Sequence, residues 1–469
     1  MEADFLILRT SEETSNTISC AIRIKAPENV SRVPTHIILL IDVSESMLDD
    51  HKLANVKRCA ASVVGFLNES DTISLITFGE TAEVHLKQVP ADQLHKDMIR
   101  ARIESLEVNG CTNLSAGLGL VQEVCEGSTQ KSGLLLLTDG HANRGVSDPT
   151  ALRNIVSTIH GRSGNLSIHC VGYGHDHNAD LLQGIAQNVQ GSYNVVTTIE
   201  DTAFAFGETL GGLMSCAFQN VKVAVPANAT VHGPFITRVT DSECVIHVGD
   251  VYSGTKPLIL LDIPVTTLPD VTITGMELAS FTVSTIHPIP QDVHERQQDV
   301  ELTRLRYTCT EILHAIKGIR RHDSVGSLSI RARLDAFVAV CADPFLDGHP
   351  VTKLLRGEIT TMRTMLEQAE RGSLDQAANV VVTQHIASIA LGRGFSSPVG
   401  AQRTWSAASG GRHLRRMMAR SVSSEPEDEN PNTVQESMNG VATQFAFQNT
   451  LQSQIATRMR EQSQQPHTP

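Results

Sequence analysis

The chain has no two cysteines at CxxC spacing: Cys20, Cys59, Cys111, Cys125, Cys170, Cys216, Cys244, Cys309 and Cys341 stand singly. That pattern excludes a zinc ribbon and gives no disulfide framework, so a reducing compartment is expected, the cytoplasm first and the nucleus as the alternative. Aromatic residues are scarce at 4%, and Trp405 is the only tryptophan. Positive charge is in deficit, with 38 Lys and Arg against 51 Asp and Glu and a net charge of -13. Nucleic acid and anionic membrane surfaces both demand concentrated positive charge, so neither is an expected partner. Long apolar runs are missing too. IILLI before Asp42 and LILLDIPV around Leu260 are strand-sized, well short of a membrane span. The opening MEADFLILRTSEETS is too acidic, and its apolar run too short, for a secretion leader.

What is present suits a soluble globular protein: 41% hydrophobic and 19% charged residues. At 469 residues, two or three domains are expected. From about residue 35 the pattern alternates between buried strands and amphipathic helices. HIILLIDV is a continuous apolar run of the kind covered on both faces. The following HKLANVKRCAASVVGFLNES sets Leu53, Val56, Ala60, Val63, Val64 and Leu67 on one helical face. TISLITF, GLLLLTDG, NLSIHCVGYG and SYNVV continue as strands, separated by helical segments. This rhythm predicts an α/β fold with a doubly wound, mostly parallel sheet over 35–216. Over 217–290 the period falls to two, predicting an antiparallel β domain that the segment 1–34, with its alternating TISCAIRIKAP, returns to complete. The α/β domain is then an insertion. Helical periodicity over 291–391 predicts three or four packed helices. From 392 to 469 the composition is Ser-, Gly- and Pro-rich, then acidic, then Gln-rich, and predicts a mostly disordered tail with one short helix in VATQFAFQNTLQSQIATRM.

The informative residues lie where the strands end. DVSES carries Asp42, Ser44 and Ser46, NGCTNL carries Thr112, and LLLLTDG carries Asp139. In an open α/β sheet the loops at the carboxyl ends of the strands line one crevice, so the three motifs can meet. Carboxylates and hydroxyls are hard oxygen donors, which suit a six-coordinate Mg²⁺, whereas softer metals would call for Cys or His. A DxSxS motif taken alone is more often a strand ending in polar residues. Three motifs, each at the position the fold requires, favour the metal site.

These five residues resemble the metal-ion-dependent adhesion site of the von Willebrand factor A family: DxSxS, then a distant Thr, then a distant Asp. The resemblance implies a Rossmann-like domain. It further implies that Ser44, Ser46 and Thr112 coordinate Mg²⁺, with Mn²⁺ or Ca²⁺ as alternatives, while Asp42 and Asp139 bind directly or through water. The position left open would accept an Asp or Glu of a protein partner. One departure stands out: Glu45 replaces the usual glycine between the serines, and either narrows access or adds negative charge. The flanking segments, ending in GRGFSSPVGAQRTW, resemble plant and fungal A-domain proteins with a Vwaint-type module. Some of those carry a RING finger or U-box, but no RING cysteine spacing occurs here.

His175, Asp176 and His177 look like a metal cluster, but no third ligand is suitably spaced, and Asn178 reads as a helix cap. Cys111 is expected to be a small buried hydrophobe rather than a redox centre. The basic run RHLRRMMAR reads as a solvated segment rather than a nucleic-acid signal. No nucleophile elbow, P-loop, HExxH or dinucleotide fingerprint occurs, and no His is placed in sequence to activate Ser44 or Ser46, leaving only a spatial approach by His141. The expected protein is therefore a metal-dependent interaction adaptor and not an enzyme. The alternatives are a non-RING component or substrate receptor of a ubiquitin-ligase system, and a scaffold with a vestigial metal site. Oligomeric state is not legible.

Overall fold

The computed structural model describes residues 1–8, 16–28, 31–128, 130–139, 141–163, 165–174, 177–189, 191–196, 199–264, 270–319, 323–372, 378–380, 382–384, 386, 454–455 and 457–459. They fall in two compact units, Met1–Arg304 with Gln448–Pro469, and Leu305–Phe447.

In the first unit, β1 (Glu2–Leu8) and β2 (Thr17–Lys25) precede the α/β domain. Its strands are β3 (Thr35–Asp42), β4 (Thr72–Phe78), β5 (Ala82–Pro90), β6 (Lys131–Thr138), β7 (Leu166–Tyr173) and β8 (Tyr193–Val196), in the spatial order β5-β4-β3-β6-β7-β8. All neighbours run parallel except β5, which is antiparallel to β4. Every residue of β3, β6 and β7 is buried, as strands covered on both faces must be. The covering helices are α1 (Lys52–Phe66), α2 (Gln93–Glu104), α3 (Leu114–Cys125), α4 (Pro149–Ser163), α5 (Ala179–Asn188) and α6 (Ile199–Met214). Leu53, Val56, Ala60, Val63, Val64 and Leu67, the face marked by the helical spacing, share one buried cluster with Ile37, Leu39 and Ile41 of β3. Side chains of α2 and α6 join the same cluster. On the other face α3 packs so closely that Gly117 lies against Leu40 and Phe78.

Three elements of this domain have weak sequence signals. β5 is half-exposed at the sheet edge, and its short connection to β4 permits only an antiparallel pair, because a parallel one needs a long crossover. α2 buries just Ile99 and Ile103. α6 carries Gly207, Gly211 and Gly212, which lower helix propensity and mask its pattern.

The β region is the expected antiparallel β domain, built as a two-layer sandwich. Its later strands are β9 (Cys216–Pro226), β10 (Thr230–His232), β11 (Ile236–Val239), β12 (Glu243–Tyr252), β13 (Leu258–Pro264), β14 (Thr272–Glu277), β15 (Thr282–Ile286) and β16 (Pro290–Val293). One sheet has the order β10-β13-β2-β1-β16 and the other β11-β12-β9-β14-β15. Among the described strands of these two sheets only β1 and β16 pair in parallel. Alternation gives each strand one apolar face, which a lone sheet cannot cover. Here Phe5, Ile22, Ile24, Ile259 and Leu261 of one layer share a core with Phe218, Val221, Val223, Ile246 and Ile273 of the other. Since β2 enters the sandwich before the α/β domain and β9 after it, the domain is threaded between two sandwich strands. One buried ion pair ties the two together: Lys131 at the start of β6 lies 2.9 Å from Asp250 of β12, with side chains 0% and 8% exposed. Burial alone would disfavour the ammonium, and the Asp250 carboxylate overrides it, raising the Lys131 pKa.

The second unit contains most of α7 (Gln298–Gly318), with α8 (Ser324–Cys341) and α9 (Pro350–Glu370). Asp323 caps α8 by accepting the Gly326 N–H at 2.9 Å, and Arg331 pairs with Glu370 at 2.7 Å between α8 and α9. Further helical residues occur at 378–380, 382–384 and 386. Of the tail, residues 454–455 and 457–459 are helical, and Ile455 and Met459 are buried in the α1–β3 cluster of the first unit, so this part of the Gln-rich end is packed. Trp405, the basic run around Arg415 and the rest of 392–469 lie outside the described residues.

Two outcomes test this packing. Asp250→Ala leaves the buried Lys131 ammonium without its carboxylate partner, and a loss of about 3–5 kcal/mol is expected in urea unfolding. Lys131→Met with Asp250→Leu recovers most of that loss. The second concerns His36, which is buried and bonded to Ser74 Oγ at 2.8 Å and Ser132 Oγ at 3.3 Å. Burial pushes its pKa down to about 4. Between that value and the ordinary 6.5 the unfolded chain binds the proton better, so the stabilisation is full above pH 6.5 and is lost as pH falls toward 4. Relative to His36→Gln, the wild type should lose on the order of 3 kcal/mol across that window.

Candidate metal centre

The chain turns sharply where β3 ends. Asp42 closes the strand, Ser44 is extended, and Glu45–His51 forms a 3₁₀ turn whose last residue, His51, has a left-handed φ of 58° and redirects the chain into α1. Backbone bonds then draw the second loop against the first: the Asn109 N–H donates to Val43 O at 2.5 Å and the Glu45 N–H to Gly110 O at 2.9 Å. Asn113 N–H reaches Gly79 O at 2.9 Å, at a place where a Cβ on residue 79 would sit 2.0 Å from Asn109 O. The third loop closes on the second. Asn143 and Arg144 donate backbone N–H groups to Thr112 O at 3.1 and 3.2 Å, and Thr112 N–H returns to Asn143 Oδ1 at 2.9 Å.

Four of the five side chains form one hydrogen-bonded chain. Asp42 Oδ1 accepts the Ser44 N–H at 2.9 Å, and its Oδ2 accepts the Thr138 hydroxyl at 2.5 Å. Ser44 and Ser46 hydroxyls lie 3.2 Å apart, and Ser46 donates to Asp139 Oδ1 at 2.7 Å. Lys52 donates to Asp139 Oδ2 at 2.6 Å. Thr112 is brought to the site by its backbone, and its hydroxyl makes no hydrogen bond among the described residues. Asp42, Ser44, Thr112 and Asp139 are buried, Ser46 is half-buried and Glu45 is exposed. Glu45 thus leans outward to solvent, so it adds charge at the rim rather than filling the crevice.

Burial pushes the Asp42 carboxyl up to about 6, against the donors Thr138 and Ser44, with the neighbouring Asp139 charge adding to the rise. A divalent cation would relieve that cost. The donor set is two carboxylates and three hydroxyls, one hydroxyl with no partner, and no Cys or His. This composition fits a hard, oxygen-seeking ion. Among the described residues no group of three or more His, Cys, Asp or Glu forms an alternative metal site.

Three participants have weak or no motif signal. Lys52 had one clue: a cation at the first position of a helix opposes the helix dipole and needs an anion. Thr138 precedes Asp139 inside an apolar run, and Asn143 sits in a polar loop, so neither stands out. His177 is buried, its Nδ1 donating to Gly174 O at 3.1 Å and its Nε2 accepting from Tyr193 OH at 2.6 Å, so it serves packing. Asn178 caps α5 by accepting the Leu181 N–H at 3.1 Å; His175 and Asp176 lie outside the described residues. Cys111 is exposed, contrary to the buried expectation. Its loop is held by backbone bonds and the left-handed Gly110 (φ 59°), which leave the side chain facing out. His141 is exposed, and Ser44 and Ser46 bond each other and Asp139 rather than an imidazole.

Residues 35–195 match the family model for the von Willebrand factor type A domain. An uncharacterised Escherichia coli protein, YfbK, is 27% identical over 198 residues, covering 41% of this chain and 34% of that protein. An inter-alpha-trypsin inhibitor heavy chain from Sus scrofa is 26% identical over 216 residues, covering 44% and 24%. The matches thus span about a third or less of those two relatives. Among solved structures, a von Willebrand factor type A protein from Catenulispora acidiphila aligns with a TM-score of 0.56 at 16% identity, over 76% of this chain and 88% of that one. At that identity the likeness is one of fold, and it extends well past residues 35–195.

The loop packing makes a sharp expectation at Gly145, whose φ is +69° and whose added Cβ would lie 2.3 Å from Asn113 Oδ1. Gly145→Ala should cost about 1–2 kcal/mol in urea unfolding through left-handed strain and this clash. A neutral result would mean the 143–146 loop does not brace the Thr112 loop.

Proposed function

Taking residues 35–195 as a von Willebrand factor type A domain, we propose that it is a metal-dependent protein-interaction module. In this reading Asp42, Ser44, Ser46, Thr112 and Asp139 hold Mg²⁺. The observation that carries it is the pair of buried carboxylates joined by serine hydroxyls, beside a threonine hydroxyl with no partner among the described residues. When bound, the ion supplies a concentrated positive charge with a position open to an Asp or Glu of a partner protein. The chain's own residues supply the rest. Ser44 and Ser46 are pre-aligned on a 3₁₀ turn, Thr138 and the Ser44 N–H orient Asp42, and Asn143 fixes the Thr112 loop.

The proposed role is binding rather than turnover, a reading supported by serine hydroxyls that bond to each other and to a carboxylate. The cytoplasm is its proposed setting, supported by the scattered cysteine spacing. The sandwich and helices are proposed as a Vwaint-type module; the GRGFSSPVGAQRTW segment that prompts this lies outside the described residues.

Thermal melts in EDTA, Mg²⁺, Mn²⁺ and Ca²⁺ test the reading. At a hundredfold excess of metal over its Kd the wild type should gain about 3 kcal/mol of apparent stability. The gain should vanish in the Thr112→Ala/Asp139→Ala variant. No shift at millimolar metal would sink the proposal and leave a scaffold with a vestigial site.

A further inference from the structure

We infer that Lys52 is a built-in counter-cation of the candidate centre, balancing Asp139 when no metal is bound and so setting how much metal is needed to load the site. The inference rests on the metal-binding reading above and concerns a residue outside the five-residue motif.

Lys52 is an unusual residue to find here. Its side chain is 8% exposed, its ammonium lies 2.6 Å from Asp139 Oδ2, and that carboxylate is fully buried. It is also the first residue of α1, whose first turn contains no acidic residue. A cation at that position faces the positive end of the helix dipole, and the carboxylate it touches favours its burial there. The effect is mutual. Ser46 engages the other oxygen of Asp139 at 2.7 Å, so with Lys52 in place each carboxylate oxygen has a donor from the chain itself.

The hydroxyls and the ammonium answer an arriving cation differently. A serine or threonine oxygen keeps lone pairs to offer, but a protonated lysine has none and can only repel. That repulsion acts inside a buried site, where charges interact more strongly than at the surface. Two carboxylates and one ammonium sum to one net negative charge, and a divalent ion turns the sum to one net positive. Lys52 therefore weakens metal binding while leaving the loaded centre with an excess of positive charge that suits an anionic side chain.

The test is a Mn²⁺ titration of the full chain by calorimetry, with melts in EDTA and in Mn²⁺, for wild type, Lys52→Met, Lys52→Arg and Thr112→Ala. Removing the charge should tighten Mn²⁺ binding by about tenfold or more, and keeping it as Arg should leave the Kd within about twofold of wild type. Lys52→Met should also melt lower in EDTA and gain more from Mn²⁺ than wild type does. Folding of Lys52→Met only in the presence of Mn²⁺ supports the same conclusion. Should it fold in neither condition, Lys52→Arg decides: unchanged binding supports the inference and tighter binding overturns it. Wild type that binds Mn²⁺ with Lys52→Met binding no tighter overturns the role of Lys52 alone. Absence of any Mn²⁺ binding sensitive to Thr112→Ala, in every variant, overturns the metal reading itself and this inference with it.

Discussion

Asp42 and Asp139 place two carboxylates at the carboxyl end of a sheet whose central strands are otherwise buried and largely apolar. An isolated ionised carboxylate in such a place is costly, so each oxygen needs a donor or a cation. The surrounding structure supplies them: Thr138 from the neighbouring strand, the Ser44 N–H from the turn, Ser46 from the 3₁₀ segment and Lys52 from the start of α1. Each donor comes from a different local element, so satisfying two charges fixes the directions of a strand end, a turn and a helix together. The path of the 42–52 segment, including the left-handed His51, is the backbone conformation that lets all of them reach.

The same reasoning separates what the sequence displays from what it hides. The α/β rhythm is legible because burial on both faces enforces continuous apolar runs in β3, β6 and β7, and the helical face of α1 because its partner is that sheet. Elements that bury little, such as β5 and α2, leave little pattern, and α6 hides its helical character behind three glycines. A period-two pattern reveals a strand with one apolar face but not which sheet that face meets. Hence the two-layer sandwich, with β2 paired to β13 across more than two hundred residues, is not readable from local signals. At the site, motif residues carry a type and spacing that stand out. Lys52, Thr138 and Asn143 act through geometry that only the folded loops create. Cys111 shows the limit of residue-type averages: a small thiol is usually buried, yet a loop held by backbone bonds has turned this one outward.

Threading the α/β domain between two sandwich strands has a mechanical consequence. The sandwich closes only when β1 and β2 meet strands that follow the domain, so its long-range pairings depend on the intervening residues being folded or at least compact. The Lys131–Asp250 pair sits at the start of β6, at the opposite end of that strand from Thr138 and Asp139. It anchors the end of the sheet away from the candidate centre.

The rim of the crevice decides what an acidic partner would meet. Glu45, Asp49 and Glu80 are exposed on the loops and turn around the crevice, and Arg144, 3.7 Å from Glu80, offsets part of that charge. On a chain with a net charge of -13, a carboxylate approaching under the proposed function would be repelled at long range and attracted only close to a loaded centre. The long-range part is screened by salt, whereas the buried interaction is screened much less. Under the proposed function, then, the rim works against indiscriminate acidic ligands. The surviving partners are those whose acidic side chain is accompanied by basic or apolar groups suited to Glu45 and to Leu48, a leucine held 62% exposed on the 3₁₀ turn. Glu45, the one departure from the family motif, would in this way serve selectivity at the rim while the ligand positions beneath it are kept intact.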